Sequence, residues 1–263
     1  MPHPLVTLTT DFGTRDYYAA AIKGAVLEVQ PEAQLVDLSH DVPAHDIWAG
    51  AFLLLGSCHL FPAGTIHLVV IDPGVGSSRR ALIAVTERHM FVGPDNGVLS
   101  LALDRQKVVR VVSIENEHYF RRPVSAVFHG RDIFGPVAGR LALGQDPGEF
   151  GPEVDSYHRL PVPPVERWGD RLEGRILYID RFGNVITNVP VEELRRKEID
   201  PHRLRVTVNG RLVHRWCSSY AEGGSELFLL AGSCDLLEIA SYRRSAARRL
   251  EARRGMKVLV ETG

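Results

Sequence analysis

Three loops of the 263-residue chain gather side chains that could do chemistry. Thr9-Thr10-Asp11-Phe12-Gly13-Thr14-Arg15-Asp16 sets acids around a glycine, and Asp72-Pro73-Gly74-Val75-Gly76-Ser77-Ser78-Arg79-Arg80 sets an acid, glycines and guanidiniums at the end of an apolar run. Phe128-His129-Gly130-Arg131-Asp132 adds an imidazole. Carboxylate, guanidinium and imidazole are the groups of acid–base and electrostatic chemistry. Pro73 biases Asp72 toward extended backbone, so the strand continues up to the carboxylate. Gly74 and Gly76 let backbone approach a ligand closely. One such loop alone reads as a turn with a surface ion pair, whereas several in one chain point to a site. A phosphate cradle is a poorer reading, because Gly74-Val75-Gly76-Ser77-Ser78-Arg79 lacks the third glycine of a dinucleotide fingerprint and no Walker pattern occurs. HExxH, DxDxDG and GxSxG are absent too.

Other polar positions are more ambiguous. A lone histidine is usually a cap or a core-edge residue, and His129 stands out only for its Gly130-Arg131-Asp132 setting. His45, in Pro43-Ala44-His45-Asp46, could line a pocket, while His3, His158, His202 and His214 lie in polar contexts and read as solvated. Asp180, Phe182, Gly183, Asn184 and Asn188 suit a β-hairpin turn or an amide and carboxylate reaching an amino-acid-like group; local sequence leaves both readings open. Phe228 reads locally as core.

The elements that must position these loops alternate in the first part of the chain. Strands are predicted at Leu5–Thr10, Gln34–Leu38, Ile66–Ile71, Ala81–Val85, His89–Val92 and Val108–Ile114. Helices are predicted at Tyr17–Gln30, Asp46–Leu55, Asn96–Asp104 and Ile133–Leu143. Alternation implies a mainly parallel α/β sheet with its site at the strand C-terminal ends. Residues 161–174, rich in proline and glycine, read as a linker. Beyond it, β-rich runs with Asn209-Gly210 and Gly223-Gly224 turns imply a smaller antiparallel, barrel-like β domain. The organisation read from sequence is thus 1–160, a 161–174 linker and 175–263. Arg243 to Arg254 reads as a solvated basic helix.

Composition narrows the class. Hydrophobic residues make up 44% and charged residues 24%, as in ordinary globular chains, and the formal net charge of −1 offers no field for nucleic acid. No apolar run is long enough for a bilayer, and Met1-Pro2-His3-Pro4 lacks the regions of a signal peptide. Cys58, Cys217 and Cys234 form no metal or disulfide pattern. A reducing cytoplasm, no nucleic acid, no membrane and no metal are expected.

In chain order, "TLTTDFGTRD", "VVIDPGVGSSRR", "GPDNGVLS", "FHGRDIFGPVAGRLA" and "IDRFGNVITNV" resemble the S-adenosyl-L-methionine (SAM) hydroxide adenosyltransferases, relatives of the fluorinating and chlorinating adenosyl enzymes. The likeness runs from about residue 5 to residue 260. It implies an N-terminal α/β domain joined to a C-terminal antiparallel β domain, assembled as a homotrimer with SAM held between neighbouring copies. It implies hydrolysis of SAM by water or hydroxide at the ribose C5′, giving adenosine and L-methionine, with no cofactor. The implied catalytic residues are Asp72, Arg79 and His129. Asp11 would bind the ribose, Asp16, Asp180 and Asn184 the methionine end, Phe128 and Phe228 would be pocket aromatics, and Ser233 would lie near the amino-acid end. Halogenating relatives carry serine where Gly130 stands and tyrosine where Asp72 and His129 stand, which favours water. The segment "GSCDLLEIASYRRSA" lacks the asparagine and aromatic expected there, with Gly232 and Asp235-Leu236 in their places. The expected chemistry has cationic Arg79 and His129 stabilising the developing hydroxide and Asp72 orienting it. A halide-using enzyme, and a SAM- or adenosine-binding protein with little turnover, are the alternatives.

Overall fold

The computed structural model describes residues 3–196 and 200–262, so Met1 and Pro2 of the leader reading lie outside the described residues. The chain divides into two compact units, one ending at Leu160 and the next starting at Pro161.

The first unit holds β1 (Leu5–Thr10), α1 (Tyr18–Val29), β2 (Gln34–Ser39), α2 (Ile47–Ser57), β3 (Ile66–Val70), β4 (Ala81–Thr86), β5 (Met90–Pro94), α3 (Ser100–Leu103), β6 (Val108–Ser113) and α4 (Gly135–Ala142). Its sheet has the order β2-β1-β3-β5-β4-β6. β2, β1, β3 and β5 pair in parallel, and β4 runs antiparallel between β5 and β6. The α/β reading with a mainly parallel sheet therefore holds. β3 is central and buried along its whole length, as a strand covered on both faces must be. Val6, Leu8, Ile66, Leu68 and Val70 share a core with Ile22 and Val26 of α1 and with Val137 and Leu141 of α4. The alternate side chains include polar ones. Thr7 and His67 are fully buried and hydrogen-bonded at 2.7 Å, and His67 stacks on Phe91 at 5.0 Å. Burial first, and then the neighbouring His89, lower the His67 pKa to about 3.

The helix expected from Asn96 starts only at Ser100. Asn96 spends its side chain on tertiary contacts instead, its Nδ2 donating to the Ile71 carbonyl at 2.8 Å and its Oδ1 accepting from Val98 N at 3.1 Å. The helix expected over Ile133–Leu143 begins earlier, as a π turn over Gly130–Phe134 that runs into α4.

The second unit holds β7 (Glu166–Trp168), β8 (Arg171–Ile179), β9 (Val185–Pro190), α5 (Val191–Arg196), β10 (Leu204–Val208), β11 (Arg211–Val213), α6 (Tyr220–Gly223), β12 (Phe228–Ala231), β13 (Leu236–Ala240), α7 (Ala246–Leu250) and β14 (Lys257–Thr262). The strands pair antiparallel in the order β11-β10-β14-β8-β9-β13-β12, with β7 beside β8. A bridge between Trp216 and Leu229 brings the two ends of this order together, so the sheet is a nearly closed barrel, as expected. Asn209 and Gly210 both take positive φ, 49° and 72°, which makes the tight β10–β11 hairpin their sequence announces.

Two expectations change here. The stretch 161–174 is only partly irregular, because Glu166–Trp168 and Arg171 onward pair as a hairpin; the donor-poor prolines precede it at 161, 163 and 164. The basic segment is not a solvated helix. Only Ala246–Leu250 is helical, Ser245 caps it by accepting from Arg248 N at 3.1 Å, and Ala246, Ala247 and Leu250 sink into the barrel core. Among the described residues no helix is long and apolar enough to cross a membrane.

Candidate active site

β3 delivers Ile71 and then Asp72 to the carboxyl end of the parallel strands. After Pro73 the chain folds into successive turns, with Val75 N bonding Asp72 O at 3.2 Å and Ser77 N bonding Gly74 O at 3.1 Å. Gly76 has φ +77°, and a Cβ there would stand 2.4 Å from the Ala126 carbonyl oxygen. Both facts demand glycine, and the close approach seats this loop on the segment that leads to His129.

The loop returns Arg79 onto Asp72. Arg79 Nε donates to both carboxylate oxygens at 3.0 Å, and Nη2 donates to Oδ2 at 2.5 Å. Nη2 also reaches His129 Nδ1 at 2.7 Å, and the guanidinium lies over the Phe134 ring at 5.2 Å. The side chains of Asp72 and Arg79 are only 5% and 11% exposed. A guanidinium has no acceptor, so this contact uses the Nδ1 lone pair and leaves the ring proton on Nε2. Burial first, and then the charge of Arg79, push the His129 pKa down, against the opposing pull of Asp72 and Asp132. Burial and Arg79 both act against a charged ring, whereas the sequence reading expects His129 as a second cation. Arg80 turns away to Asp95 at 2.6 Å and to the Ser156 carbonyl at 2.8 Å.

A cavity of about 270 Å³ brings Asp72, Phe128 and His129 together with Asp11, Phe12, Tyr18 and His45. Asp11 Oδ2 accepts the His45 backbone N–H at 2.8 Å, and His45 takes φ 65° to offer it. Phe128 meets Phe12 and Tyr18 edge-on at 5.9 and 5.2 Å, closing an aromatic wall. Asp16 is exposed and does not line this cavity.

In the second unit Asp180 and Asn184 line a cavity of about 520 Å³ with Phe182, Tyr220, Ser241 and Arg243. Asp180 first builds its own turn, Oδ1 accepting from Phe182 N and Asn184 N at 2.9 and 2.8 Å and Oδ2 from Asn184 Nδ2 at 2.9 Å. The hairpin reading of this segment holds, and both side chains also face the cavity. Phe228 is fully buried against Cys217, Leu230 and Ala240 and is not among the residues that line this cavity, as its local sequence suggested. Ser233 is exposed in the β12–β13 turn, outside the cavity lining. Local sequence carries no signal for Tyr220; for Ser241 and Arg243 the polar break Ser241-Tyr242-Arg243-Arg244 after the apolar β13 is the one sign of a site. The Tyr220 hydroxyl donates to the buried Glu238 at 2.8 Å, and burial raises the pKa of both. Among the described residues no group of three or more His, Cys, Asp or Glu could hold a metal ion.

The model of the SAM hydroxide adenosyltransferase N-terminal domain matches residues 6–151, and that of the SAM hydroxide adenosyltransferase C-terminal domain matches residues 174–259. A Thermus thermophilus protein named (R)-S-adenosyl-L-methionine hydrolase is 38% identical, over 96% of this chain and 98% of its own. The crystal structure of an uncharacterized conserved protein from Thermotoga maritima matches with a TM-score of 0.91 at 30% identity, covering 97% of this chain and 99% of that one. A fluorinase from Nocardia brasiliensis is 24% identical, over 99% of this chain and 97% of its own.

Proposed function

The chain belongs to the SAM hydroxide adenosyltransferase family, and on that premise we propose that it hydrolyses SAM to adenosine and L-methionine, water attacking the ribose C5′ opposite the sulfonium. The observation that carries the site assignment is Arg79 gripping at once Asp72 and His129, two residues that line the same cavity as Asp11. The new O–C5′ bond forms as the C5′–S bond breaks, the electron pair goes to sulfur, and the water proton leaves to solvent. Methionine departs neutral, so the reaction needs alignment more than leaving-group acid catalysis. Holding the water in line is worth ~7–11 kcal/mol in well-oriented systems.

The residues divide this work. A carboxylate offers about four lone-pair positions. Arg79 makes three hydrogen bonds to Asp72, which leaves room for one water proton. Asp72 thus orients the water and Arg79 supplies positive charge. His129, neutral with its proton on Nε2, contributes a directed donor. Asp11 holds the ribose hydroxyls with the acceptor positions left beside the one that His45 N takes on Oδ2, and Phe128 is a wall for the nucleoside. Asp16, Asp180 and Asn184 serve the methionine end, where Arg243 adds the cation its carboxylate needs. Phe182, 76% exposed, replaces Phe228 as the aromatic of that end. Ser233 carries no role from its exposed turn.

The assembly is a homotrimer in which the first unit of one copy and the second unit of its neighbour share each SAM. Exposed Tyr17 and Val127 beside the first cavity support it. Sedimentation equilibrium then gives three times the 29.2 kDa chain mass, and a single-chain mass overturns this part. The buried thiols of Cys58 and Cys217, in no disulfide, suit a cytoplasmic setting.

The test is chromatography of the purified protein incubated with each sulfonium epimer of SAM in ¹⁸O-water. The expected products are methionine without label and adenosine with ¹⁸O in its 5′-hydroxyl. Absence of adenosine above the protein-free rate sinks the proposal, and so does label in methionine. Saturating chloride yields no 5′-chloro-5′-deoxyadenosine; its formation at the rate of adenosine would reassign the enzyme as a halogenase.

A further inference from the structure

The π turn that follows His129 holds a carboxylate the mechanism above does not use. Asp132 is fully buried. Its Oδ1 accepts Arg131 Nε at 2.6 Å, and its Oδ2 accepts Arg131 Nη2 and the Ser125 backbone N–H, both at 2.9 Å. Its carbonyl accepts Arg121 N at 2.8 Å, and its own N–H bonds Phe128 O at 3.2 Å. Asp132 thereby closes both ends of the turn Ser125–Phe128. Ala126 of that turn presses its carbonyl against Gly76 of the Asp72–Arg79 loop. Phe128 of the same turn lines the reaction cavity, and the Arg131 guanidinium that Asp132 holds lies 5.2 Å from the Phe128 ring centroid.

We infer that Asp132 is a positioning residue for the reaction: by holding Ser125 and Arg131 together it fixes the turn that seats Phe128 and His129 against the Asp72–Arg79 loop. A buried carboxylate with a guanidinium and a backbone N–H on it is costly to disturb, because loss of the charge leaves those donors unpaired. Its charge also reaches His129. The charged and titratable groups around that imidazole are Arg79 and Asp72 from the β3 loop, Asp132 from its own turn, and Asp11, His45 and Tyr18 around the cavity. Asp132 favours a proton on His129, so neutralising it makes the ring harder to protonate.

This inference rests on the proposed SAM hydrolysis, and its test separates the two. Asp132→Asn is compared with the unaltered enzyme by steady-state kinetics, by ¹⁵N NMR titration of His129 and by thermal melting. A displacement of about 1 Å at a reacting group costs roughly a hundredfold. The expectation is a folded variant whose kcat falls ten- to a hundredfold while KM changes less than threefold, with His129 titrating at lower pH. A folded variant with kcat within twofold, or an unmoved His129 titration, overturns it. If Asp132→Asn does not fold, Arg131→Gln, which keeps the carboxylate but removes its guanidinium, takes its place. A fall in kcat of at least threefold at constant KM supports the inference, and unchanged kcat overturns it. The NMR titration needs no substrate, so absence of SAM turnover in the unaltered enzyme defeats the function and leaves the placement of Asp132 to be decided by that titration.

Discussion

Adjacent arginines in this chain do different work, and the difference can be measured. Arg79 holds Asp72 and His129, whereas Arg80 is tied to Asp95 and the Ser156 carbonyl. Asp72→Ala and His129→Ala should each lower kcat about 10²–10³-fold with KM for SAM moving less than threefold, the scale on which a directed electrostatic contact is lost. Arg80→Ala should leave kcat within about threefold, since its partners lie outside the cavity lining. Rates of adenosine release compare the three. The pH dependence follows from the His129 shift. Because burial and Arg79 lower its proton affinity, the neutral ring persists below the ordinary histidine pKa of about 6.5, and activity falls only at more acid pH, where the ring would gain a proton beside Arg79. In His129→Gln, whose side-chain oxygen can still accept from Arg79, that acid limb should disappear from the kcat profile. A limb retained in the variant assigns it to another group.

The loop carrying Asp72 depends on one backbone conformation. Gly76→Ala places a methyl 2.4 Å from a backbone oxygen at φ +77°. The left-handed conformation alone costs about 1–2 kcal/mol, so melting should fall by at least about 2 °C, and kcat should drop as the Arg79 loop and the Ser125–Phe128 turn separate. An unchanged melt with unchanged kcat rejects the seating role of Gly76. At this level the sequence was readable where burial dominates. The apolar runs of β1, β3 and β13 announce their strands, and the Asp72-Pro73 junction announces where the strand meets its site. It was less readable where a side chain chose a tertiary partner over its helix. Asn96 bonds the Ile71 carbonyl and delays α3, and the Ala246, Ala247 and Leu250 face of a basic segment disappears into the barrel. Phe228, in an apolar run, is readable as core, whereas the exposure of Phe182 beside the second cavity follows from the turn that Asp180 builds and not from local composition. The separate fates of Arg79 and Arg80 follow from the three-dimensional path of a loop, which local composition does not specify.

For the molecule as a whole, stability has a built-in acid limit. His67 is fully buried, bonded to Thr7 and flanked by His89 and Phe91, with its pKa lowered to about 3. The unfolded chain protonates this residue near 6.5, so its contribution is complete above that pH and is lost as pH falls from 6.5 toward 3. The slope from this one group is about 1.4 kcal/mol per pH unit. Urea unfolding at pH 7 and pH 4.5 should show a smaller loss in His67→Phe than in the unaltered protein, and equal losses refute the assignment. The salt bridges divide along a similar line. Lys107–Glu87, with side chains 76% and 56% exposed, stands within reach of the ionic atmosphere, while Asp72–Arg79 stands behind protein walls. In brine, where the Debye length shrinks to about 3 Å, surface pairs loosen and the sheltered clamp keeps its strength, so a protein stripped of its outer charge network still holds its inner acid and guanidinium together.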